Sequence, residues 1–223
     1  MTTIPTPRQL FNVEQVEAVL RPLLAVERPW QILGRLDEFV ATIHDDRQGE
    51  IHPSAVVTGP VYLAAGASIG PFALVEGPAW IGVGARVGHA AYVRGGAVLG
   101  PGAKVGHCSE VKRSLLLNDA KAPHFNYLGD AVVGRGVNLG AGVKLANFPA
   151  FEGTIAVAGE DTGLRKFSAA LGDDVSVGCN AVLSPGTIVG ARTVVYGGAV
   201  LRGVYAPDMV VKVRQGLEPT PRH

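Results

Sequence analysis

His124 stands in the run Pro123-His124-Phe125-Asn126-Tyr127-Leu128-Gly129-Asp130, and Asn138 follows a short way on. No other stretch gathers so many chemistry-bearing side chains. A histidine has an ordinary pKa of about 6.5, so at neutral pH it can take a proton from a reacting group and return it. Arg94 and Lys112 lie 18 residues apart on the N-terminal side of this run. Two cations at such an interval could clamp a phosphate, the arginine binding two oxygens at once. The remaining histidines, His52, His89 and His107 among them, read as surface residues of turns.

A repeat must position these residues. From Ala55 the chain divides into hexads, AVVTGP, VYLAAG, ASIGPF and onward to LLLNDA. The third place is aliphatic each time, at Val57, Leu63, Ile69, Val75, Ile81, Val87, Val93, Leu99, Val105, Val111 and Leu117. After Leu117 the step falters across the His124 run. It returns at Val133, Leu139 and Leu145, and again from Leu171 to Leu201. A step of six fits neither the 3.6 period of a helix nor a simple hairpin strand. Short strands of about four residues, joined by turns in which Gly, Pro, Asn and Asp supply the backbone geometry, satisfy it. Three hexads then close one coil, and successive coils stack as parallel strands about 4.8 Å apart. The aliphatics pile into inward columns, so the fold class is an all-β parallel β-helix. Arg94 and Lys112, one coil apart, should stand one above the other.

The remaining segments differ in texture. Asn12 could cap a helix over 13–24, interrupted by Pro22. A second helix over 29–43 spaces Trp30, Leu33, Leu36, Val40 and Ile43 at helical intervals. Residues 1–50 are therefore expected as a helical cap over the open end of the solenoid. The β-helix spans 51–205, with an inserted loop at about 148–165 where the hexads vanish; a loop of that length is commonly functional. Residues 206–223, with Lys212 and Arg214, form a Pro-rich tail.

Composition excludes several classes. Lys plus Arg total 20 against 19 acidic residues, a net charge of +1, so nothing electrostatic points to nucleic acid or an anionic membrane. No apolar run approaches the roughly 18 residues that would span a bilayer, and the N-terminus lacks the pattern of a signal peptide. Two cysteines, Cys108 and Cys179, make neither a disulfide framework nor a metal pattern, which suits a cytoplasmic protein.

The hexad signature resembles the hexapeptide-repeat acyltransferase family, and that resemblance implies a left-handed coil. From about Arg94 to Arg214 the chain is similar to the acetyltransferase half of the bacterial bifunctional UDP-N-acetylglucosamine pyrophosphorylase/glucosamine-1-phosphate acetyltransferase. It also resembles related archaeal sugar-phosphate nucleotidylyltransferases. The resemblance implies that His124, in HFNYLGD, is the general base. It places phosphate binding on Arg94 and Lys112, and sugar contacts on Tyr127, Asn138, Asn147 and Lys166. It places acetyl-CoA contacts on Ala141, Cys179, Gly197 and Arg214, with Cys179 and Gly197 standing where that family has serine and alanine. The implied activity is acetyl-CoA-dependent N-acetylation of an amino-sugar phosphate without a metal, feeding UDP-N-acetylglucosamine-type synthesis. Glucosamine 1-phosphate is the first choice of acceptor. Pro123 replaces a glycine before the base, and Asn147-Phe148-Pro149 replaces a short turn. Galactosamine 1-phosphate or a nucleotide-linked amino sugar therefore remains open.

Such a base fits the chemistry, because an amine is an ammonium at neutral pH and must lose a proton to attack a thioester. Two other readings compete. His89, His107 and His124 could line an edge as ligands of a metal-dependent hydratase, although the usual H-x4-H run is absent. The solenoid could alternatively be a non-catalytic scaffold or regulatory module of a nucleotidylyltransferase system. A prism with flat sheet faces suits a homotrimer, and the family resemblance places the sites between its subunits.

Overall fold

The computed structural model describes residues 3–214. Twenty-six short parallel strands form three sheets of nine, nine and eight strands, called A, B and C here in the order the chain visits them. Every third strand returns to the same sheet, so the chain winds as a parallel β-helix of about nine coils. Val, Leu, Ile and Ala fill the interior as continuous columns, with Leu63, Ile69, Val75, Ile81 and their successors at 2% exposure or less. The solenoid is longer than the hexads alone suggest. It opens with strand Asp46–Arg47 and still pairs at Val210–Val211, beyond the expected 51–205, because the end coils keep backbone pairing without the aliphatic signature.

The register departs from the expected one before His124, not at it. Leu99 lies opposite Leu116, and Leu116 opposite Val133, so these coils have 17 residues rather than 18. Leu116 joins the interior, while Leu115 and Leu117 face outward into a second apolar cluster. The shortening lies where the chain turns from sheet C to sheet A, once between Val111 and Leu116 and again between Leu128 and Val133. The next passage of that same corner, between Leu145 and Leu171, carries the insertion. It contains a small antiparallel hairpin, Ala156–Val157 with Glu160–Asp161. Its Ile155 and Val157 are buried, and Arg28 Nε donates to Glu160 at 2.9 Å. Strand Lys121–His124 thus sits in an unbroken part of the coil.

The described residues before the first strand, 3–45, do not cap an end. They lie along the outer flank of sheet A, with Leu20, Ile32, Leu33 and Leu36 fully buried against Val98, Leu115, Val132, Ala170 and Ile188. Leu10 O accepts from Asp173 N–H at 2.9 Å near one end of the sheet, and Phe39 packs on Trp80 near the other. The reason is chemical: sheet A presents an apolar column outward as well as inward, and each large side chain buried there contributes about 1.5–3 kcal/mol. The expected helix over 13–24 is two 3-10 segments, Val13–Gln15 and Ala18–Leu24, since Pro22 supplies no N–H for an α-helical ladder. The second helix is shorter than expected, Ile32–Val40 after a 3-10 turn at Pro29–Gln31.

Candidate active site

His124 ends its strand on sheet B and is exposed at the corner where the chain turns into sheet C. Phe125 makes that turn at φ 53°. The buried Asn126 fixes it, its Oδ1 accepting His124 N–H at 3.0 Å and its Nδ2 donating to Gly140 O at 2.7 Å. Asn126 is thus a structural turn residue, and it holds the histidine's backbone in place.

This corner is a ladder. Phe125 N–H donates to His107 O, Gly142 N–H to His124 O, Asn180 N–H to Ala141 O, and Gly198 N–H to Cys179 O, each at 2.8–3.0 Å. His124, Ala141, Cys179 and Gly197 therefore occupy one column in successive coils. The histidine implied as base and the three residues implied for acetyl-CoA share a single edge of the prism. Cys179 is exposed with a free thiol. Arg214 is the last described residue, three beyond Val211, which pairs with Val195 at the same end of the column.

Face C carries the phosphate and sugar candidates. Arg94 and Lys112 stand in register one coil apart, as expected from their spacing. Their charges are already engaged. Arg94 Nη1 donates to Glu110 Oε1 at 2.9 Å, a bond that raises the guanidinium pKa, and Lys112 Nζ lies 3.7 Å from Asp130 Oδ2. Tyr127 O–H donates to Asn147 Oδ1 at 3.3 Å, and burial pushes the phenol's pKa up, with Glu110 and Asp130 adding to the effect. Gly129 makes room for this pair, since a Cβ there would stand 2.6 Å from both Tyr127 Oη and Asn147 Nδ2. Lys112 is opposite Gly129, so Lys112 and His124 occupy opposite edges of face C with Tyr127 between them.

Two residues stand apart from this group. Asn138 lies on face B, between Lys121 and Ser176 in the outward column, away from the other sugar candidates of this chain. Lys166 follows the insertion, with Nζ 5.9 Å from the centre of the Phe148 ring. It lines a cleft of about 510 Å³ with Lys112, Arg113, Asp130, Phe148, Leu164 and Arg165.

Asp130 and Arg113 have no role in the sequence reading, yet they organise this corner. Asp130 is 1% exposed and takes hydrogen bonds from Arg113 Nη1 at 2.9 Å and Asn147 Nδ2 at 2.5 Å. Arg113 also grips Asp37 of the N-terminal segment at 2.6 and 2.8 Å. Those bonds, to Asp37 foremost, lift the arginine pKa still further above its ordinary value. The Asp in YLGD was the available signal, because a buried carboxylate needs charged or N–H partners.

The chain is 33% identical to the bifunctional protein GlmU of Methanococcus vannielii over 173 residues, 76% of this chain and 42% of that protein. For the bifunctional protein GlmU of Methanococcus aeolicus the identity is 32% over 171 residues, 75% of this chain and 42% of that one. A bifunctional sugar-1-phosphate nucleotidylyltransferase/acetyltransferase of Sulfurisphaera tokodaii is 38% identical over 94 residues, 40% of this chain and 23% of that protein. The chain is a homologue of the GlmU-type bifunctional enzymes. It spans less than half the length of these relatives. No family profile matches it. Among solved structures, the UDP-N-acetylglucosamine acyltransferase from Campylobacter jejuni superposes with a TM-score of 0.41 at 17% identity, over 72% of this chain and 70% of that one. Among the described residues of this GlmU homologue, no cluster of three or more His, Cys, Asp or Glu is poised to hold a metal. No described helix is long and apolar enough to cross a membrane.

Proposed function

We propose that the chain is an acetyl-CoA-dependent N-acetyltransferase acting on an amino sugar that carries an anomeric phosphate, hexosamine 1-phosphate being the minimal acceptor. The observation that carries the reading is the corner column, in which exposed His124 continues through Ala141, Cys179 and Gly197, across face C from the Arg94 and Lys112 edge. His124 takes the amine proton as nitrogen attacks the acetyl carbon. The new N–C bond forms, the C–S bond breaks, and the coenzyme leaves as its thiol. A thioester is already activated, so no covalent enzyme intermediate is needed, and the protein's task is chiefly to align the two substrates. Lys112 and Arg94 hold the phosphate, and Tyr127 with Asn147 bounds the sugar.

Asn138 bears on assembly. It projects from face B, whereas the other sugar candidates project from face C. A site that uses both needs face B of one copy against face C of the next, which a cyclic homotrimer supplies. Sedimentation should give three chains, and an active monomer would defeat this part. The chemistry is tested by thiol release against a panel of hexosamine phosphates. His124→Ala should lower turnover by about 10²–10⁴-fold while leaving the assembly intact. An unchanged rate in a folded variant removes the proposal.

A further inference from the structure

The N-terminal segment covers sheet A, and one of its side chains also reaches the corner where the acceptor candidates meet. Asp37 lies in the helix Ile32–Val40, whose Leu33, Leu36 and Val40 are buried against sheet A. A seated helix thus carries the Asp37 carboxylate to the turn from sheet C into sheet A. There it accepts two hydrogen bonds from Arg113, Nε to Oδ1 at 2.8 Å and Nη2 to Oδ2 at 2.6 Å. The third arm of the same guanidinium, Nη1, donates to Oδ1 of the buried Asp130 at 2.9 Å. Among the described residues, these two carboxylates are the ion-pair partners of Arg113.

The split has a consequence on the far side of Asp130. A guanidinium facing a single carboxylate favours a fork, two N–H groups meeting both oxygens. Asp37 occupies the Nε and Nη2 edge, so only Nη1 is left for Asp130. Asp130 Oδ2 is therefore open to Asn147 Nδ2, which donates to it at 2.5 Å, and Lys112 Nζ lies 3.7 Å from the same oxygen. An ionised carboxylate only accepts, so Asn147 must turn its NH₂ toward Asp130 and its Oδ1 toward Tyr127, whose O–H donates to it at 3.3 Å. Without the Asp37 charge, Arg113 can close its fork on Asp130. Both Asp130 oxygens are then engaged, Asn147 loses its anchor, and its amide is free to turn.

We propose that Asp37 is a positioning residue for the acceptor: by dividing Arg113 between two carboxylates, it leaves Asp130 to fix Asn147 and Lys112. Asp37 acts through Arg113 and the buried carboxylate rather than by touching the acceptor. The inference rests on the acetyl-transfer reading for the roles of Asn147, Tyr127 and Lys112. The column of His124, Ala141, Cys179 and Gly197 runs along the other edge of face C and takes no part in this chain of contacts. The effect of Asp37 should therefore fall on acceptor binding alone.

Steady-state thiol release tests this, using the hexosamine phosphate that the parent acetylates best, with glucosamine 1-phosphate first in the panel. Asp37→Asn keeps the size and removes the charge. It should raise the acceptor KM about tenfold, a coupling usual within one hydrogen-bond network, while kcat and the acetyl-CoA KM stay within about twofold. Asp37→Glu keeps the charge and should restore most of the acceptor affinity. Arg113→Lys, which cannot divide a planar fork between two carboxylates, should reproduce the acceptor-only rise. In an Asn147→Ala background, adding Asp37→Asn should change the acceptor KM by less than about twofold, because the path ends at that amide. Melting curves identify the variants that remain folded, and Arg113→Lys serves if Asp37→Asn does not. An unchanged acceptor KM in a folded variant overturns the proposal. So does a parallel rise in both KM values, which would report general loosening, or a full tenfold rise in the Asn147→Ala background. A parent that acetylates no member of the panel removes the acetyl-transfer reading and this inference with it; an active parent with an indifferent Asp37→Asn removes the inference alone.

Discussion

Sheet A and sheet B are built from the same hexads, yet their outward columns are opposites. On sheet A the column reads Tyr62, Trp80, Val98, Leu115, Val132, Ala170 and Ile188, and on sheet B it reads Ser68, Arg86, Lys104, Lys121, Asn138 and Ser176 before ending at Val194 and Val210. The chain covers the first with its own N-terminal segment and leaves the second bare. One flank of the prism is therefore devoted to stability, and the chemistry-bearing columns lie on the other two and on the corner they share. The inward hexad position specifies the coil. The outward position decides what each flank is for.

That contrast can be broken at measured cost. Leu36→Ala, on the covered flank, should lose about 2–5 kcal/mol in denaturant unfolding, because a fully buried leucine leaves a cavity. A smaller loss would mean that the N-terminal segment is only loosely seated. Arg113→Ala, at the junction between the flanks, should cost about 1–3 kcal/mol by stripping a partner from buried Asp130. Asp37→Ala removes only the half-exposed arm of that bridge and should cost under about 1 kcal/mol. Equal losses would show that the Asp130 arm contributes nothing. Lys104→Ser, on the bare flank, should stay within about 0.5 kcal/mol of the parent by the same measurement.

The solenoid was legible because one aliphatic per six residues leaves a signal that no helix imitates. The stacking of Arg94 and Lys112 followed from the same count. The slip did not, because Leu115, Leu116 and Leu117 all satisfy an aliphatic position and spacing alone cannot choose the middle one. Residues 13–43 announced an amphipathic segment without saying what it packs on. The answer lay in Trp80, Val98 and Leu115, apolar residues placed one before the inward position. Asn138 matches the family in residue type, but only the sheet assignment shows that it faces away from Tyr127 and Asn147. Asp130 was visible within the HFNYLGD run, while its link through Arg113 to Asp37 joins positions 76 residues apart and follows no repeat.

Between Ile51 and Val211 every change in coil length falls at the turn from sheet C into sheet A, as deletions before Leu116, Val133 and Tyr205 and as the 148–165 excursion. The turns from A to B and from B to C keep their count through these coils, so His107, His124 and Ala141 remain aligned whatever happens at the third corner. Growth and loss of sequence are thereby quarantined from the edge that carries His124. Loops of other lengths could be grafted at 148–165 to reshape the cleft around Lys166 without dislodging the histidine.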